Sequence, residues 1–195
     1  MRSVLPEIDA LVVLDQVSRR NCGVITDMIR DALALLAQEF PNVLVYADSR
    51  AHIGSFRGVV IKANSREAIL AAGLVHTTHA DDAQVWAAAD ELQRRTDRPV
   101  FITMGERGML VATRERKVLV SGVPVSGPID VTGAGDSATA GIVLSLAAGA
   151  DLTQAAAVGN LVASITIEQL GTTGTASREQ VLARFDASRI GQETP

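Results

Sequence analysis

Short apolar runs alternate with longer amphipathic stretches along most of this chain. Residues 10–14 (Ala-Leu-Val-Val-Leu) form a continuous apolar run that ends at Asp15. Such a run reads as a strand buried on both faces, as in a parallel sheet. Between residues 26 and 40, Met28, Ile29, Ala32, Leu33, Leu35 and Leu36 fall on one helical stripe, and Pro41 stops it. Residues 43–47 predict the next buried strand, ending at Asp48, and residues 58–62 another that leads into the segment 64–67. A second amphipathic helix is predicted over 81–96, capped by Asp81 or Thr78. Residues 99–103 read as a strand and 105–108 as the turn after it. Residues 109–112 and 117–120 read as an antiparallel hairpin around the charged 113–116 turn. Helices are predicted over 134–148, 152–170 and 178–185, with Gly159 and Asn160 inside the second, and a loose tail over 191–195.

Uniformly apolar strands alternating with helices imply an α/β fold with a doubly wound, mostly parallel sheet. A chain of 195 residues can bury a real core and is expected to be one domain. In such sheets ligands bind beyond the carboxyl ends of the strands. Asp15, Asp48, Asn64, Thr103 and the turn at Gly133 all follow strands or lie in connecting loops. They are expected to share one rim.

Composition narrows the partners. Apolar residues make up 47% of the chain, which excludes a disordered protein. Only 3% are aromatic and the net charge is −4, which argues against a nucleic-acid partner. Cys22 is the sole cysteine, so no intrachain disulfide forms and a reducing compartment fits. Cys22 with His52, His76 and His79 has no metal-ligand spacing, and His76 and His79 read as solvent-facing loop residues. Met1-Arg2-Ser3 is followed by a short apolar stretch already broken by Glu7 and Asp9, unlike a secretory leader. The longest apolar run, 138–150, is short of the about 20 residues a bilayer span needs. A soluble, cytoplasmic protein that keeps away from membranes is expected.

Residues 130–136 carry the chemistry. They read Asp-Val-Thr-Gly-Ala-Gly-Asp and run straight into an alanine-rich stretch of helical composition. A glycine-rich turn opening a helix aims unpaired N–H groups and the positive end of the helix dipole at one point, where an anion fits. Asp136 would sit in the first helical turn, beside that anion. There it can take a proton from a hydroxyl that attacks a phosphoryl group. The plain alternative is an ordinary helix start with capping aspartates. The segment is neither Gly-x-x-x-x-Gly-Lys-Ser/Thr nor Gly-x-Gly-x-x-Gly, and the latter's absence after the first strand disfavours a dinucleotide-binding domain.

This segment resembles the C-terminal signature Asp-Thr-x-Gly-Ala-Gly-Asp of the ribokinase-like (PfkB) carbohydrate kinases, with Val131 as the departure. Lys62-Ala63-Asn64-Ser65-Arg66-Glu67 is similar to the family's Lys-Pro-Asn-x-x-Glu, and Thr103-Met104-Gly105-Glu106-Arg107-Gly108 to its Thr-x-Gly-x-x-Gly turn. The three patterns stand in family order, and the resemblance runs from about residue 10 to about 185. It implies a three-layer ribokinase-like sheet and transfer of the ATP γ-phosphoryl group to a hydroxyl of a sugar or sugar phosphate. Asp136 is then the general base, with the N–H groups of Gly133, Ala134 and Gly135 holding the charge on the phosphoryl oxygens. Asn64 and Glu67 would hold Mg²⁺ through water, although their spacing is also that of a capping box. Lys62 either reaches a phosphate or is a solvated strand-end lysine. Thr103, Gly105 and Gly108 would shape the phosphate and ribose side, or merely link two strands. Asn160 would lie near the purine, or make a helix-packing hydrogen bond. Asp130, Gly171 and Thr175 stand where related kinases bind a monovalent cation such as K⁺.

Within the family, the 130–136 segment and Leu170-Gly171-Thr172-Thr173 resemble the heptose-phosphate kinase branch. That branch has Ser-Asp-Tyr-x-Lys-Gly where this chain reads Leu14-Asp15-Gln16-Val17-Ser18-Arg19. The N-terminal part of such kinases, with its Gly-Gly motif, sugar pocket and β lid, is not recognisable here. The chain is therefore expected to be the C-terminal, nucleotide-binding part of a kinase, whether as a fragment, a mis-started reading frame or a natural half-kinase. Alone, it would hydrolyse ATP slowly and phosphorylate sugars little. A sheet cut in this way leaves an unpaired edge near residues 10–14, and a homodimer stays open. The competing reading is a non-catalytic nucleotide-binding or interaction module derived from such a kinase.

Overall fold

The computed structural model describes residues 1–74 and 81–190. His76, His79, the alternative cap Thr78 and the tail 191–195 lie outside the described residues. The backbone divides into two compact units, Met1–Met104 with Leu110–Leu119, and Gly105–Met109 with Val120–Pro195.

The first unit is built on a sheet whose strands lie in chain order. β1 (Ala10–Asp15), β2 (Leu44–Ser49), β3 (Val60–Asn64), β4 (Val100–Thr103), β5 (Met109–Ala112) and β6 (Lys117–Val120) are neighbours in that sequence. β1 to β4 are parallel, with Val13 opposite Ala47, Ala47 opposite Ile61 and Ile61 opposite Val100. The β5–β6 turn closes where the Thr113 N–H donates to the Arg116 carbonyl at 2.9 Å.

Parallel strands need crossovers, and α1 (Asp27–Glu39), α2 (Ser65–Ala71) and α3 (Asp82–Thr96) supply them. Each starts where a side chain accepts a first-turn N–H: Thr26 from Ile29, Asn64 from Glu67 and Asp81 from Gln84. Asp81 is thus the observed cap of α3. Between β2 and β3 there is only a 3₁₀ turn, Ile53–Ser55.

Because side chains alternate along a strand, Val13, Ala47, Ile61, Ala63, Val100 and Ile102 share one face. Leu33 of α1, Ala68 and Ile69 of α2, and Val85, Ala88 and Leu92 of α3 pack with them into one apolar core. On the opposite face Tyr46 and Phe101 are fully buried with ring centroids 6.2 Å apart. Burial fails at β1, however, where Val12 is 41% and Leu14 47% exposed. The expectation of a strand buried on both faces is therefore wrong here. β1 is the sheet's edge, and the unit's own helices all pack on the Val13 face. Met28 and Leu35 of the predicted stripe are exposed too, so the buried stripe of α1 is narrower than the apolar pattern.

The second unit contains a 3₁₀ turn (Gly105–Arg107) and three helices, α4 (Ala134–Ala147), α5 (Leu152–Thr166) and α6 (Arg178–Ile190). α4 packs on α5, burying Ala138, Ile142, Ala155 and Ile165. α5 ends four residues short of the predicted 170. Its C-cap residue, Ile167, gives its carbonyl to the Asp130 N–H at 2.8 Å, a tertiary bond that turns the chain away. α6 runs past the predicted Phe185 to Ile190. Among the described residues no helix is long and apolar enough to cross a membrane.

Two predictions follow from the polar groups around α1. Arg30 and Asp15, each 3% exposed, form a buried ion pair at 2.8 Å. Removing one partner strands the other charge, so Arg30→Ala is expected to cost about 3–5 kcal/mol, against about 0.5 kcal/mol or less for the exposed Arg94→Ala. Equal denaturation midpoints for the two variants would contradict this. Hydrogen bonds from Arg20 first, then Asn21, hold the Asp27 carboxyl down from 3.8 to about 2. A depressed carboxyl contributes its stability above the unfolded value and loses it as pH falls through the folded one. The melting-temperature gap between the native chain and Asp27→Asn should hence be constant above pH 3.8 and close as pH falls to about 2. A gap that survives at the acid end refutes the assignment.

Candidate active site

Four strands of the first unit end in polar residues, and the parallel register sets them side by side. Asp15 stands opposite Ser49, Asp48 opposite Lys62, and Asn64 opposite Thr103. Asp15, Asp48, Asn64 and Thr103 therefore do share a rim, as expected within this unit. The rim is tightly bonded. Asp15 Oδ2 accepts from Arg30 Nη2 at 2.8 Å and from Ser49 Oγ at 2.9 Å. Lys62 is 3% exposed, and its Nζ donates to Asp48 Oδ2 at 2.5 Å. It is not a solvated strand-end lysine. The apolar strand that carries it draws it inside, and only a carboxylate on the next strand makes that burial tolerable.

Asn64 and Glu67 form a complete capping box at the start of α2. Asn64 Oδ1 accepts the Glu67 N–H at 2.9 Å, and Glu67 Oε2 accepts the Asn64 N–H at 2.8 Å. Burial pushes the Glu67 carboxyl above the usual carboxylate range, against the pull of the Asn64 N–H, with Asp48 adding to the rise. Lys62 and Arg50 lower it in part. Glu67 Oε1 and the second lone pairs of the bonded oxygens are what a hydrated cation would meet. Thr103 is half-buried, and its carbonyl accepts from Ser65 Oγ at 3.2 Å, which joins the two sequence patterns at one point.

In the second unit, Gly108 has φ +98°, and a Cβ there would lie 2.1 Å from the Val120 carbonyl oxygen. The glycine of this turn is thus required by a crossing strand, whatever else the turn does. Asn160 is buried, and its Nδ2 donates to the Val120 and Ser121 carbonyls at 3.1 and 3.0 Å. Of the two expected roles, the observed bonds are those of packing.

Residues 130–136 form a tight turn into α4. Gly133 is the N-cap with φ +77°, and no side chain caps this helix. Its missing side chain is also a packing need, since a Cβ would lie 2.6 Å from Thr173 Cγ2. Of the three N–H groups expected to face an anion, that of Ala134 is turned back to the Val131 carbonyl at 3.1 Å. Of the three, the N–H groups of Gly133 and Gly135 remain, and Asp136 joins Gly135 as a first-turn donor that the helix cannot pair for itself. Asp136 is exposed in the same turn. Asp130 Oδ1 accepts the Thr132 N–H at 2.9 Å, and Oδ2 accepts the Gly171 N–H at 3.0 Å. Bonds from Thr132 first, and then from Gly171, hold its carboxyl below the usual range. Ile167 stands in none of the sequence patterns, and Thr173 stands in one without a role. Both meet this turn through contacts that no local pattern announces.

Comparison with known proteins agrees with these features. The family profile described as pfkB family carbohydrate kinase matches residues 59–179. The bifunctional protein HldE of Azorhizobium caulinodans is 34% identical over 152 residues, covering 77% of this chain and 31% of that protein. The HldE protein of Gluconacetobacter diazotrophicus is 32% identical over 194 residues, covering 95% of this chain and 38% of that one. The chain thus spans about a third of the length of these relatives. Among solved structures, ribokinase from Thermotoga maritima superposes with a TM-score of 0.74 at 21% identity, over 94% of this chain and 59% of that one. Phosphofructokinase-2 from Escherichia coli, in complex with potassium, gives a TM-score of 0.76 at 20% identity, over 96% and 60%. The strand-end rim, the turn that opens α4 and the profile match across both units lead to one conclusion: this chain belongs to the pfkB family of carbohydrate kinases.

Proposed function

We propose that this chain supplies the nucleotide-binding and phosphoryl-transfer part of an ATP-dependent carbohydrate kinase, with a hydroxyl of a sugar or sugar phosphate as acceptor. The observation that carries the reading is the start of α4. A left-handed glycine replaces a side-chain cap, two first-turn N–H groups stay unpaired by the helix, and a carboxylate stands exposed beside them. Backbone donors fixed in this way can stabilise charge that grows on phosphoryl oxygens without reorganising. Asp136 accepts the proton of the attacking hydroxyl. Asn64 and Glu67 are the residues that would hold Mg²⁺ through water, with the magnesium screening the nucleotide's phosphates. Thr103, Gly105 and Gly108 line the nucleotide's side of the reaction. The resemblance of residues 130–136 and 170–173 to the heptose-phosphate kinase branch makes a heptose phosphate the first acceptor to try.

A second reading, a nucleotide-binding module without turnover, draws on a specific observation. The Asn64–Glu67 box is complete within the chain itself. Two experiments separate the readings. Calorimetric titration with ADP–Mg²⁺ is expected to give saturable binding, and a folded sample with no heat at millimolar ligand, about the weak limit of a specific site, would sink both. ADP release is then followed with hexoses, pentoses, heptose phosphates and nucleosides, in the chain joined to the N-terminal part that such kinases carry. Asp136→Asn is expected to lower kcat by about 10²–10⁴-fold while leaving ADP affinity unchanged. A variant with near-native kcat removes Asp136 from the mechanism, and binding with no acceptor-dependent release selects the module.

A further inference from the structure

The turn that opens α4 is joined to a distant stretch of its own unit, residues 167–175, at three points. The Asp130 N–H donates to the Ile167 carbonyl at 2.8 Å, the Gly171 N–H donates to Asp130 Oδ2 at 3.0 Å, and Gly133 lies against Thr173. Asp130, Gly171 and Thr175 are also the residues for which the family resemblance implies a monovalent cation. A cation there needs side-chain and carbonyl oxygens whose lone pairs converge on an open point. Several oxygens of this stretch already have a donor from the chain itself. Asp130 Oδ1 and Oδ2 accept the Thr132 and Gly171 N–H groups. The Val131 carbonyl accepts from Ala134, and the Ile167 carbonyl from Asp130. The Thr175 carbonyl accepts Gln169 Nε2 at 2.7 Å, while the Thr175 N–H returns to Gln169 Oε1 at 3.2 Å. A backbone N–H donor therefore stands at each oxygen of the Asp130 carboxylate, which leaves a cation only the second lone pairs. The positive end of its dipole already meets the negative charge.

We propose that Asp130 is a positioning residue whose carboxylate, bridging the N–H groups of Thr132 and Gly171, holds the α4 turn in its nucleotide-ready shape without a monovalent cation. The bridge acts on the unpaired donors through Gly133: it sets the loop that seats Thr173 against the helix start. A neutral amide cannot replace it, because Asn has a single acceptor oxygen and would present an NH₂ to one of the two N–H donors. The consequence for function rests on the nucleotide reading above. The bridge itself does not.

The test has one arm for each. In ligand-free protein, the amide resonance of Gly171 is followed by NMR with hydrogen exchange, in potassium chloride and in tetramethylammonium chloride at matched ionic strength. The expected result is a protected amide, indifferent to the salt, that loses protection in Asp130→Asn. A Gly171 amide that exchanges freely in the native chain, or that becomes protected only in potassium, overturns the proposal whether or not nucleotide binds. In the second arm, ADP–Mg²⁺ affinity is measured in both salts. The native chain should bind equally in the two, and Asp130→Asn about tenfold more weakly in both, the scale of one charge-assisted hydrogen bond. Potassium-dependent affinity that the variant abolishes would assign Asp130 to a cation instead. Absence of nucleotide binding in the native chain would strike the functional reading and leave the first arm to judge the bridge.

Discussion

An α-helix begins with backbone N–H groups that its own carbonyls cannot reach, and how each start meets that demand organises this molecule. α1, α2, α3 and α5 meet it with Thr26, Asn64, Asp81 and Asp151, whose side-chain oxygens accept first-turn donors. α4 does otherwise. Gly133 brings the chain in through a left-handed conformation, and no side chain takes the donors. A capped start is satisfied and chemically quiet. An uncapped one keeps its partial positive charge for something else, and here a carboxylate stands in the same turn. Gly133 serves two ends at once: a conformation that a side chain would strain, and room for Thr173. The first is a local requirement, while the second comes from residues forty positions away in the chain.

Charge is handled differently at the strand ends of the first unit. Asp15 with Arg30, and Asp48 with Lys62, are drawn into poorly solvated positions because their neighbours in sequence are buried strand and helix residues. Such pairs give little net stability over apolar replacements, yet each becomes costly once one partner is removed. Their effect is to lock orientation. Asp27 and the Ile25 carbonyl also accept from Arg30, Ser49 donates to Asp15, and the guanidinium lies 5.4 Å from the Phe56 ring centre. The carboxyl ends of β1 and β2 are thereby held in place. Next to them, the capping box starts α2 where β3 ends, so Asn64 and Glu67 are oriented by the same bonds that make the helix begin.

Much of this was legible in the chain. Apolar runs of four to six residues located the strands, because a parallel strand covered on both sides has no polar positions to interrupt it. Thr26, Asp81 and Pro41 marked helix ends, because their preferences are set by the backbone beside them. The signature 130–136 was visible for the same reason, since small residues before a helix answer a local need. The misreadings have one source. β1 is apolar throughout yet exposed at Val12 and Leu14, since apolarity states what a residue would bury and not whether a neighbour is there. Lys62 reads as a phosphate ligand or a surface lysine until Asp48 comes alongside on the adjacent strand. α5 is shorter than its apolar pattern, and its C-cap carbonyl is taken by a tertiary bond from Asp130.

Sequence by itself determined the elements other than α2, their order, the class of the sheet and the segment where phosphoryl chemistry is to be sought. Each of these follows from periodicity or from backbone preferences that act within a few residues. Tertiary structure alone decided which polar groups remain available. It gave the Asn160 amide to Val120 and Ser121, and one oxygen of the Asp130 carboxylate to Gly171. Hydrogen-bond partners brought together from some forty residues apart leave no periodic trace in either segment. A donor or acceptor is free only when the folded chain has nothing nearer for it to bind.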